Sequence, residues 1–207
     1  MLKRWLMALP MLVLLSAALM SAWALVRAQI WQSQTRDFLD YWVAEGKKDS
    51  DFAVTKEDWL LTLAGANNAL EGMPASPELQ VMRARVLDRG VANGWSLDDN
   101  GQALELAAWQ QAVLSRPGWP YSWYDYAAAR SQRSLIDPAF ESALLRADQL
   151  GPWEQTVLVG VAGLGRYYQR WLSAAANERM KASFDRLKKQ YPRQAQQLEK
   201  QYPTPAA

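Results

Sequence analysis

Trp5 to Val26 is a run of 22 residues without a single charge. As a helix it is about 33 Å long, enough to cross a bilayer hydrocarbon core of about 30 Å. Lys3 and Arg4 precede it and Arg27 follows it. By the positive-inside rule the amino terminus then stays in the cytoplasm and the rest of the chain lies beyond the membrane. Trp5 and Trp23 sit near the two ends, where amphipathic rings favour the interface, and Pro10 is tolerable near a helix start. A competing reading is a cleaved leader, because Ala22-Trp23-Ala24 fits a small-x-small cleavage site. The run is longer than a usual leader core, which favours a retained single-pass anchor. Both readings export residues 28–207, in a bacterium to the periplasmic face of the inner membrane. The expected division is an anchor over 1–27, a helical domain over 28–192 and a polar tail over 193–207.

The 207 residues include no Cys and no His. Disulfides, thiolate zinc sites, Cys nucleophiles, Ser-His-Asp triads and imidazole ligands are therefore excluded. No cofactor and no metal is expected. Residues 1–27 hold three basic residues and no acid, which leaves 20 basic against 21 acidic residues in the exported part. That balance gives no reason to expect nucleic acid as a partner. The 11 Trp are an unusual load for this length.

After Val26 strand alternation is missing and apolar residues recur at helical spacing. The fold class expected is all-α: the membrane helix, then antiparallel helical hairpins resembling a tetratricopeptide (TPR-like) α-solenoid. Thr55, Ser76-Pro77 and Asp137-Pro138 read as helix starts, a capping side chain followed in two cases by a first-turn proline. Gly46 and Gly72 read as stops. Pro74, Pro117, Pro152 and Pro192 end alternate helices. Eight residues before each lies Ala66, Trp109, Leu144 or Phe184; five before lies Ala69, Ala112, Ala147 or Leu187. A large or apolar residue at −8, a small one at −5 and a proline at 0 suit the end of the second helix of a TPR-like unit, the first packing within the pair and the second letting the next unit approach. The hairpins expected are 29–45 with 55–71, 77–91 with 102–115, 120–132 with 137–150, and 152–172 with 174–191. An irregular helical bundle is the alternative.

The densest local pattern is Arg116-Pro117-Gly118-Trp119-Pro120-Tyr121-Ser122-Trp123-Tyr124-Asp125-Tyr126, five aromatics within eight residues. Trp119, Tyr121, Trp123, Tyr124 and Asp125 are the candidate binding residues: rings on which sugar C–H faces stack, with a carboxylate for hydroxyls. The structural alternative is packing, since Trp119, Trp123 and Tyr126 share one helix face. Gly160, Gly163 and Gly165 lie inside a helix, where each costs about 1 kcal/mol against Ala. They mark close approach by another helix, and a partner helix is the functional reading. Gly151 reads as a positive-φ cap with Trp153 wedged between repeats. Ser96 to Gly101 resembles a calcium loop but has Ala107 where the bidentate Glu belongs, so it reads as a loop with Asp98 as a cap. Lys181, Arg186, Lys188, Lys189, Arg193 and Lys200 make the C-terminal part basic, a solvated face or a contact for an acidic partner. Glu57, Asp58, Asp125 and Glu154 are candidate catalytic carboxylates, but no spacing singles out a pair.

Three segments carry a resemblance: 115–123, Phe140-Glu141-Ser142-Ala143-Leu144-Leu145-Arg146-Ala147, and Leu150-Gly151-Pro152-Trp153-Glu154. Here the chain resembles the VpsP-like family of small bacterial proteins encoded among exopolysaccharide biosynthesis genes. The likeness runs to about Leu172 and is most specific over 109–154. It implies a TPR-like scaffold with an accessory role in making or exporting an extracellular polysaccharide, and it brings no catalytic residues. The partners implied are the inner membrane, protein components of a polysaccharide complex, and a glycan. A carboxylate-dependent polysaccharide hydrolase or lyase and a general assembly scaffold or chaperone are the alternatives.

Overall fold

The computed structural model describes residues 2–98 and 104–202; their regular elements are all helical, with no strand among them. The chain divides into two compact units, Met1–Leu97 and Asp98–Ala207.

In the first unit, α1 (Leu2–Lys48) is one helix of 47 residues. It is long and apolar enough to cross a membrane, and almost none of its apolar stretch is covered by protein. It passes Val26 without a break and continues past Gly46, which has open space around it, so neither expected boundary is a helix end. Lys47 and Lys48 in its last turn complement the negative end of the helix dipole. α2 (Lys56–Gly72) begins where Thr55 accepts the Asp58 N–H at 3.1 Å. It packs antiparallel along α1, guided by two glycines a heptad apart. A Cβ at Gly65 would lie 2.8 Å from Thr35 Oγ1, and one at Gly72 would lie 2.7 Å from Ala28 Cβ and 2.9 Å from the Ala24 carbonyl oxygen. α3 (Pro77–Arg89), capped by Ser76, lies against α2 and α1. The Trp59 indole donates to the Val86 carbonyl at 2.7 Å and ties α2 to α3.

The second unit holds α4 (Leu104–Ser115), α5 (Pro120–Gln132), α6 (Pro138–Leu150), α7 (Gln155–Tyr167), α8 (Ala174–Gln190) and α9 (Pro192–Gln201). Asp137 starts α6 as the sequence predicts: its carboxylate accepts the N–H groups of Ala139 and Phe140 at 3.1 and 3.0 Å. It also pairs with Arg130 of α5, which closes the hairpin between the two helices. The main core gathers Phe140 and Leu144 of α6 with Val157 and Val161 of α7 and Met180 of α8. A second cluster joins Leu158, Phe184 and Leu187 to Ala195 of α9.

All eight residues at −8 and −5 from the four prolines are buried. Three of the four expected pairs form: α1 with α2, α5 with α6, and α7 with α8. The expected pair 77–91 with 102–115 spans the division; within their own units α3 packs on α2 and α4 on α5. The polar tail expected from 193 is, up to Gln201, α9. Its Ala195 is buried and its Leu198 packs against the second cluster. Part of the basic surplus of the C-terminal part is paired through α8: Asp148, fully buried on α6, holds Arg179 at 2.7 Å and also pairs with Arg186. The loop reading of Asp99, Asn100 and Gly101 lies outside the described residues.

Burial opposes the charge on Asp137, but the Phe140 N–H and Arg130 overcome it and hold its carboxyl below the usual range. A group with a lowered folded pKa contributes stability above its unfolded pKa, and that contribution is lost as pH falls through the folded value. Asp137→Ala is therefore expected to cost about 1–2 kcal/mol at pH 7, the value of a lost cap. In urea unfolding of the detergent-solubilised chain, the gap to the parent should narrow below about pH 4.

Candidate functional site

α5 cannot start before Pro120, because proline suits the first helical position and its predecessor prefers extended backbone. Trp119 is that predecessor, at φ −98° and ψ 111°. Its ring therefore leaves the helix face it was expected to share with Trp123 and Tyr126. It turns instead onto Tyr121, centroids 5.3 Å apart and planes tilted 35°. The Arg116 guanidinium also lies over the Trp119 ring, 3.9 Å from its centroid. The Tyr121 hydroxyl donates to Glu154 at 2.8 Å, across from α5 to the start of α7. That hydrogen bond, with a smaller effect of burial, raises the Tyr121 pKa.

Arg116, Trp119, Tyr121 and Glu154 thus form a continuous shelf, cation on ring on ring on carboxylate. Trp119 remains 38% exposed. Each side chain is held by its neighbour, so little rotamer freedom is left to lose on binding. Arg116 and Glu154 were not among the expected binding residues. The signal for Arg116 was its place three residues before Trp119; Glu154 has no local signal, because its partner is 33 residues away.

The other expected residues are placed differently. Trp123 donates its indole N–H to the Pro117 carbonyl at 2.8 Å and packs one side against the main core. Its outer edge lines a cleft of about 530 Å³ along α5 and α6, with Ser142, Leu145, Arg146 and Gln149. Tyr124 is a packing residue: its ring lies over Gly160 of α7, in the space a Cβ would fill. Burial, reinforced by the neighbouring Asp125 charge, raises its pKa. Asp125 is half-buried.

The groove expected for a partner helix at Gly160, Gly163 and Gly165 is filled from within. Tyr124 occupies the first position. Leu198 of α9 would meet a Cβ at Gly163 at 3.4 Å, and Met180 of α8 one at Gly165 at 2.6 Å. Gly151 does not take a positive φ; it lies at −127°. What it provides is room for Pro120, whose Cβ would stand 2.8 Å from any Cβ carried at this position. Trp153 is not wedged but 58% exposed. Asp58 is engaged at its cap, accepting the Thr55 hydroxyl at 2.8 Å. Among the described residues no three His, Cys, Asp or Glu side chains gather into a site for a metal ion.

No protein-family model, curated protein or solved structure matches the chain.

The two tyrosines separate in a stability measurement. Tyr124→Ala should lose about 3 kcal/mol or more, because it empties the space over Gly160. Tyr121→Ala removes one exposed hydrogen bond and the contact of a half-buried ring with the edge of the core, and should lose less, about 1–2 kcal/mol. Urea unfolding followed by far-UV circular dichroism distinguishes them.

Proposed function

We propose that this protein is a membrane-anchored accessory protein of extracellular polysaccharide synthesis or export. Its helical part is read as TPR-like and periplasmic. The shelf of Arg116, Trp119, Tyr121 and Glu154 is read as its docking surface for a partner segment or a glycan. The observation that carries the reading is the shelf itself. Trp119 keeps an exposed face, stacked on a Tyr121 ring that rests on the main core and carries its hydroxyl out to Glu154, a fixed arrangement that suits recognition. The shelf also falls inside the segment 109–154 that carries the resemblance to the VpsP-like family.

Two further observations support the reading. The small and apolar positions before the four prolines are buried, as a TPR-like arrangement requires. The cleavage-like Ala22-Trp23-Ala24 lies within an uninterrupted helix, and removal of Ala24 would strip away a contact of Gly72. Both features support a retained anchor, for which intact-mass measurement of the membrane-extracted chain should give the uncleaved value. On this reading Asp58 serves as part of the α2 cap and Glu154 holds Tyr121 in the shelf.

The test replaces Trp119 and Tyr121 together by Ala. Unfolding free energy should fall by only about 2–3 kcal/mol, the loss of partly buried ring contacts, with the helical spectrum retained. Partner capture by a photo-crosslinker at position 116, and polymer output in cells, should both fall sharply. Unchanged capture and output in a folded double variant would remove the shelf from the function.

A further inference from the structure

We infer that the turn between α2 and α3, Met73 to Ala75, is seated in the headgroup layer of the bilayer that α1 crosses, so that the first unit stands directly on the membrane surface. The inference rests on the retained anchor proposed above. α2 descends along α1 toward the apolar run. Gly65 lies level with Trp31 and Thr35, and Gly72, seven residues on, lies level with Ala24 and Ala28. Ala24 belongs to the charge-free run 5–26. The chain leaves Gly72 in the same direction before it turns back into α3 at Pro77. Met73, Pro74 and Ala75 therefore reach the level of Ala24 or deeper.

This contact also fixes the register of α1 in the bilayer. Were the hydrocarbon to extend to Val26, the end of α2 and the turn would lie inside it, where unpaired peptide groups are not tolerated. The boundary must fall at about Trp23, a residue type that favours the interface. About 20 residues back from Trp23, one hydrocarbon thickness, is Arg4, beside Lys3. Both ends of the span then coincide with interfacial residue types.

The turn has the chemistry for such a depth. Residues 72–77 carry no charge, and Pro74 and Pro77 have no N–H to satisfy. The Met73 N–H bonds the Ala69 carbonyl and the Ser76 N–H bonds the Met73 carbonyl, each at 3.1 Å. The Gln80 side chain donates to the Pro74 carbonyl at 3.2 Å. Pro74 and Ala75 are exposed, open to contact with lipid headgroups.

The chain has no native Cys, so single labels can be placed cleanly. Ala75→Cys, Asp51→Cys at the opposite end of the α1–α2 pair, and Val13→Cys in mid-span would each carry a nitroxide. The full-length chain is reconstituted in phosphatidylcholine vesicles, and collision with oxygen is compared with collision with a water-soluble nickel chelate. The label at Val13 should meet oxygen and not nickel, and that at Asp51 should meet nickel freely. The label at Ala75 should show several-fold lower nickel access than Asp51 and a depth at the headgroups, with Pro74→Cys giving the same result. Nickel access at Ala75 equal to that at Asp51, with Val13 shielded, would overturn the seating and leave the anchor standing. Nickel access at Val13 equal to that at Asp51 would overturn the anchor, and the seating with it.

Discussion

At several helix contacts among the described residues, one of the two helices presents little or no side chain. Gly65 and Gly72 let α2 settle onto α1. Gly160 lets α7 approach the Tyr124 ring, and Gly165 accepts Met180 of α8. Ala69, Ala112 and Ala147 do the same one methyl larger, each buried before a proline. A glycine inside a helix costs about 1 kcal/mol. The cost is offset when a large neighbour fills the space, because dispersion contacts accumulate over the whole ring or side chain. The glycines of α7 are therefore complementary to three side chains of the same unit, not an open invitation to another molecule.

A second constraint is the handling of buried charge. Asp148 and Glu105 are both buried, and both are carried by the second unit. Asp148 gathers Arg179, Arg186 and Ser183 from α8, while Glu105 of α4 holds Arg133 at the end of α5. Such pairs add little net stability over an apolar filling, but breaking one side leaves a buried charge alone. Their effect here is to link α6 to α8, and α4 to the end of α5, at specified points. They also pair part of the basic C-terminal composition with a buried carboxylate, leaving less uncompensated charge than the count of Lys and Arg suggests.

What the amino-acid sequence discloses divides by range. Thr55, Ser76 and Asp137 were legible as caps because a cap involves only the next two or three residues. The buried positions before the prolines were legible because the proline marks the register of its own helix. Spacing alone puts Trp119 on a helix face, although Pro120 beside it already implies extended backbone. Tyr124 over Gly160 was beyond such reading: the partners are 36 residues apart, and either alone looks like something else, a binding ring or a groove. The division after Leu97 had no compositional mark, since a loop between two helices of one pair and a loop between two units carry the same polar residues. Of the candidate site, Trp119 and Tyr121 were legible as types, while their stacking order and the carboxylate that ends it arise from the packing of α5 beside α7.

The unbroken course of α1 has a mechanical consequence. No hinge separates its apolar portion from the stretch that carries α2, so with the proposed anchor in place the first unit would be a stiff lever whose fulcrum is the lipid. From Ala24 to Lys48 the helix extends about 37 Å. Membrane helices adjust their inclination to local hydrocarbon thickness, typically within a range of about 0–40°. A change of about 10° would swing the Lys48 end through about 6 Å. With that anchor, thickness at the base would be converted into lateral displacement at the tip, without any change in how α1, α2 and α3 hold one another.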